Sequence, residues 1–171
     1  MKKLFSFTGN ICTGKTTITK ILSGKYGISC YSIDQYRVRY NANDFHTEWE
    51  AWGKLKSDII KEDQAILESS GLSENLTEIY NHFDTVAVIL LKCNETTLID
   101  RAKQRINNGY EIPFFLNKNK PVECQIFDME LRLRKIVYNY IYDTSYLSPD
   151  EIVEQISRDI FHKAGSRIAM P

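Results

Sequence analysis

The chain has 171 residues, room for one domain around a single core and little for a separate effector module. Lysine plus arginine equals aspartate plus glutamate at 22 each, so no global field draws the protein to a long nucleic acid or an anionic membrane. Cys12, Cys30, Cys93 and Cys124 are scattered, with no C-x-x-C and no histidine at ligand spacing, which excludes the usual zinc and disulfide frameworks and fits the reduced thiols of a cytoplasmic protein.

Lys3 to Thr8 is a short apolar run expected to form a buried strand. It is too short for a signal-peptide core, and no stretch of the chain approaches the length of a membrane span. Next comes Gly9-Asn10-Ile11-Cys12-Thr13-Gly14-Lys15-Thr16, which fits G-x-x-x-x-G-K-[ST] at every fixed position. Helical periodicity follows over Lys15 to Lys25, carried by Ile18, Ile21 and Leu22. Strand, glycine loop and helix are the context in which this motif binds a nucleoside triphosphate. Glycines at both ends let the backbone wrap phosphate oxygens, and the helix N-terminus adds partial positive charge. Gly9 to Thr17 therefore read as the ATP-binding segment, with Lys15 reaching the β- and γ-phosphates and the Thr16 hydroxyl on Mg²⁺.

A second strand is expected over Ile28 to Ile33, leading into Asp34-Gln35-Tyr36-Arg37-Val38-Arg39. The C-terminal ends of strands are where open α/β sheets bind ligands. An aspartate there can orient an acceptor hydroxyl or take its proton, and an arginine three residues on can hold an anion on the acceptor. Asp34 also suits a helix cap, and Arg39 reads equally as an acceptor contact or a surface residue. A helix follows at about 45–61, where Phe45, Trp49, Trp52 and Leu55 have core spacing. The third strand, Ala65 to Glu68, ends on an acid; a helix at about 74–82 and a fourth strand at Thr85 to Lys92 come next. The helix Glu95 to Asn107 sets Arg101 and Arg105 one turn apart at the edge of the stripe Leu98, Ile99, Ala102 and Ile106.

Asn108 to Lys120 is polar, rich in breakers and too long for a simple connection, the pattern of a mobile lid to which Lys118 and Lys120 would contribute. Pro121 to Tyr138 reads as a helix and Tyr140 to Asp143 as a weaker strand. Ser148-Pro149-Asp150-Glu151 opens the last helix as a capping box with proline at its first position. The expected domain is 1–163 with its lid at about 108–120, and 164–171 is expected to be a flexible tail.

On the glycine loop, the Asp34-x-x-Arg37 run and the Arg101/Arg105 region, the chain resembles the small P-loop kinases. The D-x-x-R after the second strand is similar to that of polynucleotide 5′-hydroxyl kinases, adenylylsulfate kinases and zeta-toxin-type sugar-nucleotide kinases. Asn10-Ile11 together with Leu67-Glu68-Ser69-Ser70 also resembles deoxynucleoside kinases, although the arginine of their third-strand motif is Ser69 here. The resemblance implies a three-layer α/β P-loop NTPase fold with a central five-stranded parallel sheet and a lid. It puts Glu68 at the Walker B position, where it would hold Mg²⁺ through water or stand as a second carboxylate near the acceptor. Arg101 and Arg105 would reach the nucleotide from the lid side, and a tyrosine among 138, 140, 142 and 146 would lie near adenine. A GTPase is disfavoured because Asn117-Lys118-Asn119-Lys120 lacks the aspartate of a guanine reader.

The reading is an ATP- and Mg²⁺-dependent kinase for a small nucleotide-like acceptor, transferring to a hydroxyl or a phosphate. Lys15, Asp34, Arg37, Arg101 and Arg105 would be its catalytic residues, and Asp34, Arg37, Arg39 and Glu68 would face the acceptor. A 5′-hydroxyl polynucleotide end is the alternative acceptor, and an ATP-binding regulatory module or ATPase the alternative class. A monomer or a homodimer would suffice.

Overall fold

A computed structural model of the chain describes residues 1–109 and 120–162. Most of the expected lid, with Lys118, and the expected tail lie outside the described residues. Strands β1 (Lys3–Thr8), β2 (Ser29–Ser32), β3 (Gln64–Glu68), β4 (Thr85–Lys92) and β5 (Tyr140–Asp143) form one five-stranded sheet in the order β2-β3-β1-β4-β5. Every neighbouring pair is parallel, and an all-parallel sheet needs helices over both of its faces.

Alternation along the strands decides which layer each side chain joins. Phe5, Phe7 and Ile66 pack on one face with Ile18 and Leu22 of α1 (Lys15–Tyr26) and with Ile152 and Ile156 of α7 (Pro149–Ile156). Leu4, Ala65 and Leu67 point the other way, onto Trp52, Leu55 and Ile59 of α3 (Phe45–Ile59) and Leu76 and Ile79 of α4 (Asn75–Tyr80). Ser6 shares that second face and is satisfied by the Tyr80 hydroxyl at 2.7 Å. A third cluster, Leu98 and Ala102 of α5 (Glu95–Asn107) with Ile126 of α6 (Val122–Leu133), packs against Ile11 and Cys12 of the glycine loop. That third cluster is what seats the loop.

The expected strands hold within a residue of their bounds, and several helices differ. The expected strand end at Ile33 and the six residues after it form a short helix, α2 (Ile33–Arg39), capped by Ser32. Asp34 lies in its first turn rather than at its cap, and Ile33 and Tyr36 turn inward at helical spacing. The expected helix Pro121–Tyr138 is α6, which begins just after Pro121, its N-terminal cap position, and stops at Leu133, beyond which Asn139 pairs back onto Val88 of β4. The capping box at Ser148 and Glu151 forms as read, and α7 passes into a π-helical turn at Ser157–His162.

Candidate active site

β1 stops at Thr8 because Gly9 follows with φ 146°, and a Cβ on Gly9 would stand 2.4 Å from the Leu91 carbonyl oxygen. Only glycine fits between the two central strands at that point. The loop then carries positive φ at Cys12 (60°) and at Gly14 (87°), the residue that caps α1. A left-handed non-glycine costs of order 1 kcal/mol and persists where its surroundings hold it.

The holding contacts come from across the chain. The fully buried Asn10 donates through Nδ2 to the Ile126 carbonyl and to Glu130 Oε1, both at 2.9 Å, and accepts from the Ile11 N–H. The Thr144 hydroxyl, just past β5, lies 3.0 Å from the Thr13 carbonyl and 3.1 Å from that of Lys92. Arg101 donates through Nη1 to the Cys12 carbonyl at 3.3 Å and through Nη2 to the Thr144 carbonyl at 3.2 Å. Arg105 approaches the Cys12 sulfur.

Inside this frame the Lys15 ammonium lies on the Gly9 and Asn10 carbonyls at 3.0 and 2.7 Å. Burial lowers its pKa from the ordinary lysine value; the charges of Glu68 and Asp34 oppose that, and the charge of Arg105 adds to it. Those influences mark the carboxylates and the guanidinium that share its space. Thr16 donates its hydroxyl to Glu68 Oε1 at 2.5 Å, and Glu68 is buried. A hydroxyl and a buried carboxylate in contact at a strand end are hard oxygen donors of the kind Mg²⁺ takes together with substrate phosphates. Among the described residues no cluster of three or more histidine, cysteine, aspartate or glutamate side chains could hold a metal on its own.

One cavity of about 380 Å³ unites these groups. Ile11 to Ile18 floor it, Asp34 and Glu68 stand on one side, and Arg101, Gln104 and Arg105 on another. Ala102, Ile106, Val122, Leu147, Pro149 and Ile152 give it an apolar end.

The predicted residues do not all meet there. Lys15, Thr16, Thr17, Asp34, Glu68, Arg101 and Arg105 line the cavity; Gly9 and Asn10 stand behind it, as the loop's hinge and its anchor. Arg37 is not among the lining residues, because Glu48 takes its Nε and Nη2 while Nη1 reaches Asp34 at 2.6 Å. Arg39 is exposed beside the Tyr40 ring, away from the cavity. None of Tyr138, Tyr140, Tyr142 and Tyr146 lines it; the apolar end is aliphatic. Trp52 is core and Trp49 is two-thirds exposed. Sequence reasoning passed over Glu48, Thr144 and the glutamines at 104 and 125. The signal for Thr144 was its place just beyond a strand end, where ligand sites gather.

No family model matches the chain. In sequence it is 25% identical over 166 residues to the Methanocaldococcus jannaschii protein named "Putative adenylate kinase", covering 92% of this chain and 86% of that one. In structure it superposes on shikimate kinase from Acinetobacter baumannii, solved with shikimate, with a TM-score of 0.69 at 14% identity over 99% of this chain and 96% of that one. The fold is that of the P-loop NTPase kinases. A gluconokinase from Sinorhizobium meliloti 1021 shares this kinase fold with a TM-score of 0.61 at 12% identity, over 95% of this chain and 97% of that one. Relatives in sequence and in structure are thus kinases, which supports a phosphotransferase. They support the small P-loop kinase type, and not its polynucleotide-kinase or adenylylsulfate-kinase branch. No helix among the described residues is long and apolar enough to cross a membrane.

Proposed function

We propose that the protein transfers the γ-phosphoryl group of ATP to a small acceptor held on the Asp34 side of the cavity. The observation that carries this reading is the convergence of a phosphate loop, a Thr16–Glu68 pair and a separate carboxylate, Asp34, on one cavity that two arginines flank. A nucleotide switch needs the first two; an acceptor site needs the third.

The residues take roles by their chemistry. Phosphates would rest on the loop between Gly9 and Thr17, and Lys15 would leave the Gly9 and Asn10 carbonyls for the β- and γ-phosphate oxygens. Thr16 and Glu68 would hold Mg²⁺, which would supply charge neutralisation for the phosphates. Arg101, Arg105 and Lys15 supply positive charge where negative charge develops on the transferring group. Asp34, held by Arg37 at Oδ1 and 64% exposed in its side chain, would face an acceptor hydroxyl and take its proton. The aliphatic end formed by Ala102, Ile106, Leu147, Pro149 and Ile152 suits a flat base.

The acceptor is small and nucleotide-like in this reading, supported by the archaeal relative named for adenylate. A cytoplasmic setting belongs to this reading and is supported by the four free cysteines, Cys12, Cys30, Cys93 and Cys124. The test is transfer of labelled γ-phosphate from ATP with Mg²⁺ to nucleoside monophosphates, nucleosides, shikimate, gluconate and a 5′-hydroxyl oligonucleotide, with Asp34→Asn as control. A labelled product that disappears in the control names the acceptor. Release of inorganic phosphate alone, unchanged in the control, would replace this reading with an ATPase.

A further inference from the structure

The Asp34 side chain is 64% exposed, yet general-base work demands a fixed direction. Its position is set by a relay that begins in the core. Trp52 is 3% exposed, and a buried indole N–H needs an acceptor. It finds Glu48 Oε1 at 2.9 Å, one turn earlier on α3. Glu48 in turn grips Arg37 through the planar fork of its guanidinium, Oε2 to Nε at 2.8 Å and Oε1 to Nη2 at 2.5 Å. Both partners of that pair are only 17% exposed in their side chains, so the grip is shielded from water. The Nη1 edge of the same guanidinium meets Asp34 Oδ1 at 2.6 Å. The aspartate-threonine capping box at the start of α3 is well formed, with Thr47 N–H on Asp44 Oδ1 at 2.8 Å, so the helix turn carrying Glu48 is itself fixed.

We infer that Glu48 is a positioning residue for phosphoryl transfer, holding Arg37 from the α3 side so that Arg37 aims the Asp34 carboxylate into the cavity. The inference rests on the kinase reading proposed above and deepens it. It changes the role of Arg37 as well: the bidentate edge expected to hold an anion of the acceptor is taken up by Glu48, so Arg37 acts on Asp34. A rigid, planar donor is needed for this, because a guanidinium presents two edges in fixed relation and a lysine ammonium presents none.

The experiment compares wild type, Glu48→Gln, Arg37→Lys and the double variant in γ-phosphate transfer to the acceptor found in the panel above. KM for ATP and thermal midpoint are recorded for each. Glu48→Gln keeps the size of the side chain and an oxygen for the Trp52 indole, while losing the charge that grips Arg37. The expected result is a kcat lower by about ten- to a hundredfold, with KM for ATP within about twofold. The double variant should be no slower than the slower single one, because both break the same relay. Trp52→Phe, which removes the indole donor together with some core volume, should give a smaller loss of kcat than Glu48→Gln and a somewhat lower thermal midpoint. Unchanged kcat in Glu48→Gln would overturn the inference while leaving the kinase reading intact. So would losses that multiply in the double variant, or a fall in kcat matched by a rise in KM for ATP and a collapse of the thermal midpoint. Absence of transfer by the wild type to any acceptor would overturn the kinase reading, and this inference with it.

Discussion

The two sides of the cavity are built by different means. On the donor side the backbone itself is the instrument: Gly9, Cys12 and Gly14 take backbone angles that side-chain contacts from α5, α6 and the end of β5 hold in place. On the acceptor side the backbone is ordinary helix, and a chain of side chains running Trp52, Glu48, Arg37 and Asp34 carries the geometry. On the proposed reading, the side shaped by backbone would serve the group common to every acceptor's reaction, the triphosphate. One shaped by side chains on α2 and α3 can be retargeted by a few substitutions. The comparison teaches where generic chemistry ends and specificity begins in this molecule.

Lesions can break that division in order of size. Lys15→Ala removes the loop's one cation and should lower kcat/KM for ATP by about a thousandfold whatever acceptor is offered. Transfer and hydrolysis assays run side by side would both fall. Asp34→Asn should lower transfer by about a hundredfold while KM for ATP stays near the wild-type value. Equal loss of ATP affinity, read by titration with a nucleotide analogue, would dissolve the boundary between the two sides. Gly9→Ala drives a methyl onto the Leu91 carbonyl and should cost about 2 kcal/mol of stability, visible as a lower thermal midpoint. Its catalytic loss should accompany that instability, unlike the loss in Asp34→Asn. Thr144→Val deletes the hydroxyl between the Thr13 and Lys92 carbonyls and should cost about 1 kcal/mol, with a midpoint lower by a few degrees. ATP affinity should weaken slightly and the choice of acceptor should not change.

The donor side was legible because its requirements are local in sequence. A strand, two glycines, a lysine and a threonine fall within fourteen residues, Lys3 to Thr16, and each has a single physical reason to be there. The sheet was legible for a related reason: parallel strands buried on both faces leave continuous apolar runs, as in Thr85 to Lys92. The short helix α2 was harder, since seven residues beginning inside an apolar run offer too few turns for helical period to separate from strand alternation. The role of Arg37 was harder still. Its spacing from Asp34 is printed in the sequence, but its grip by Glu48 eleven residues on depends on how α2 and α3 pack. The aliphatic end of the cavity drew on Ala102, Leu147 and Ile152, which no local pattern joins. Tyrosines were the visible candidates for that place, and the packing of α5 against the loop before α7 supplied aliphatic side chains instead.

The bracing of the glycine loop also sets an order of events during synthesis. The loop is written in the first sixteen residues, yet Asn10 is anchored by Ile126 and Glu130, and the Thr13 carbonyl by Thr144. β1, the central strand that delivers it, pairs only with strands that begin at Gln64 and Thr85. A ribosome releasing this chain therefore makes the phosphate loop early and finishes its shape late, after four-fifths of the polypeptide has emerged. Contacts of such long separation are slow to close, and until they do the nascent chain has no shaped site for ATP. On the proposed reading ATP would bind the completed fold alone, so the bound nucleotide would also stabilise the late contacts that hold the loop.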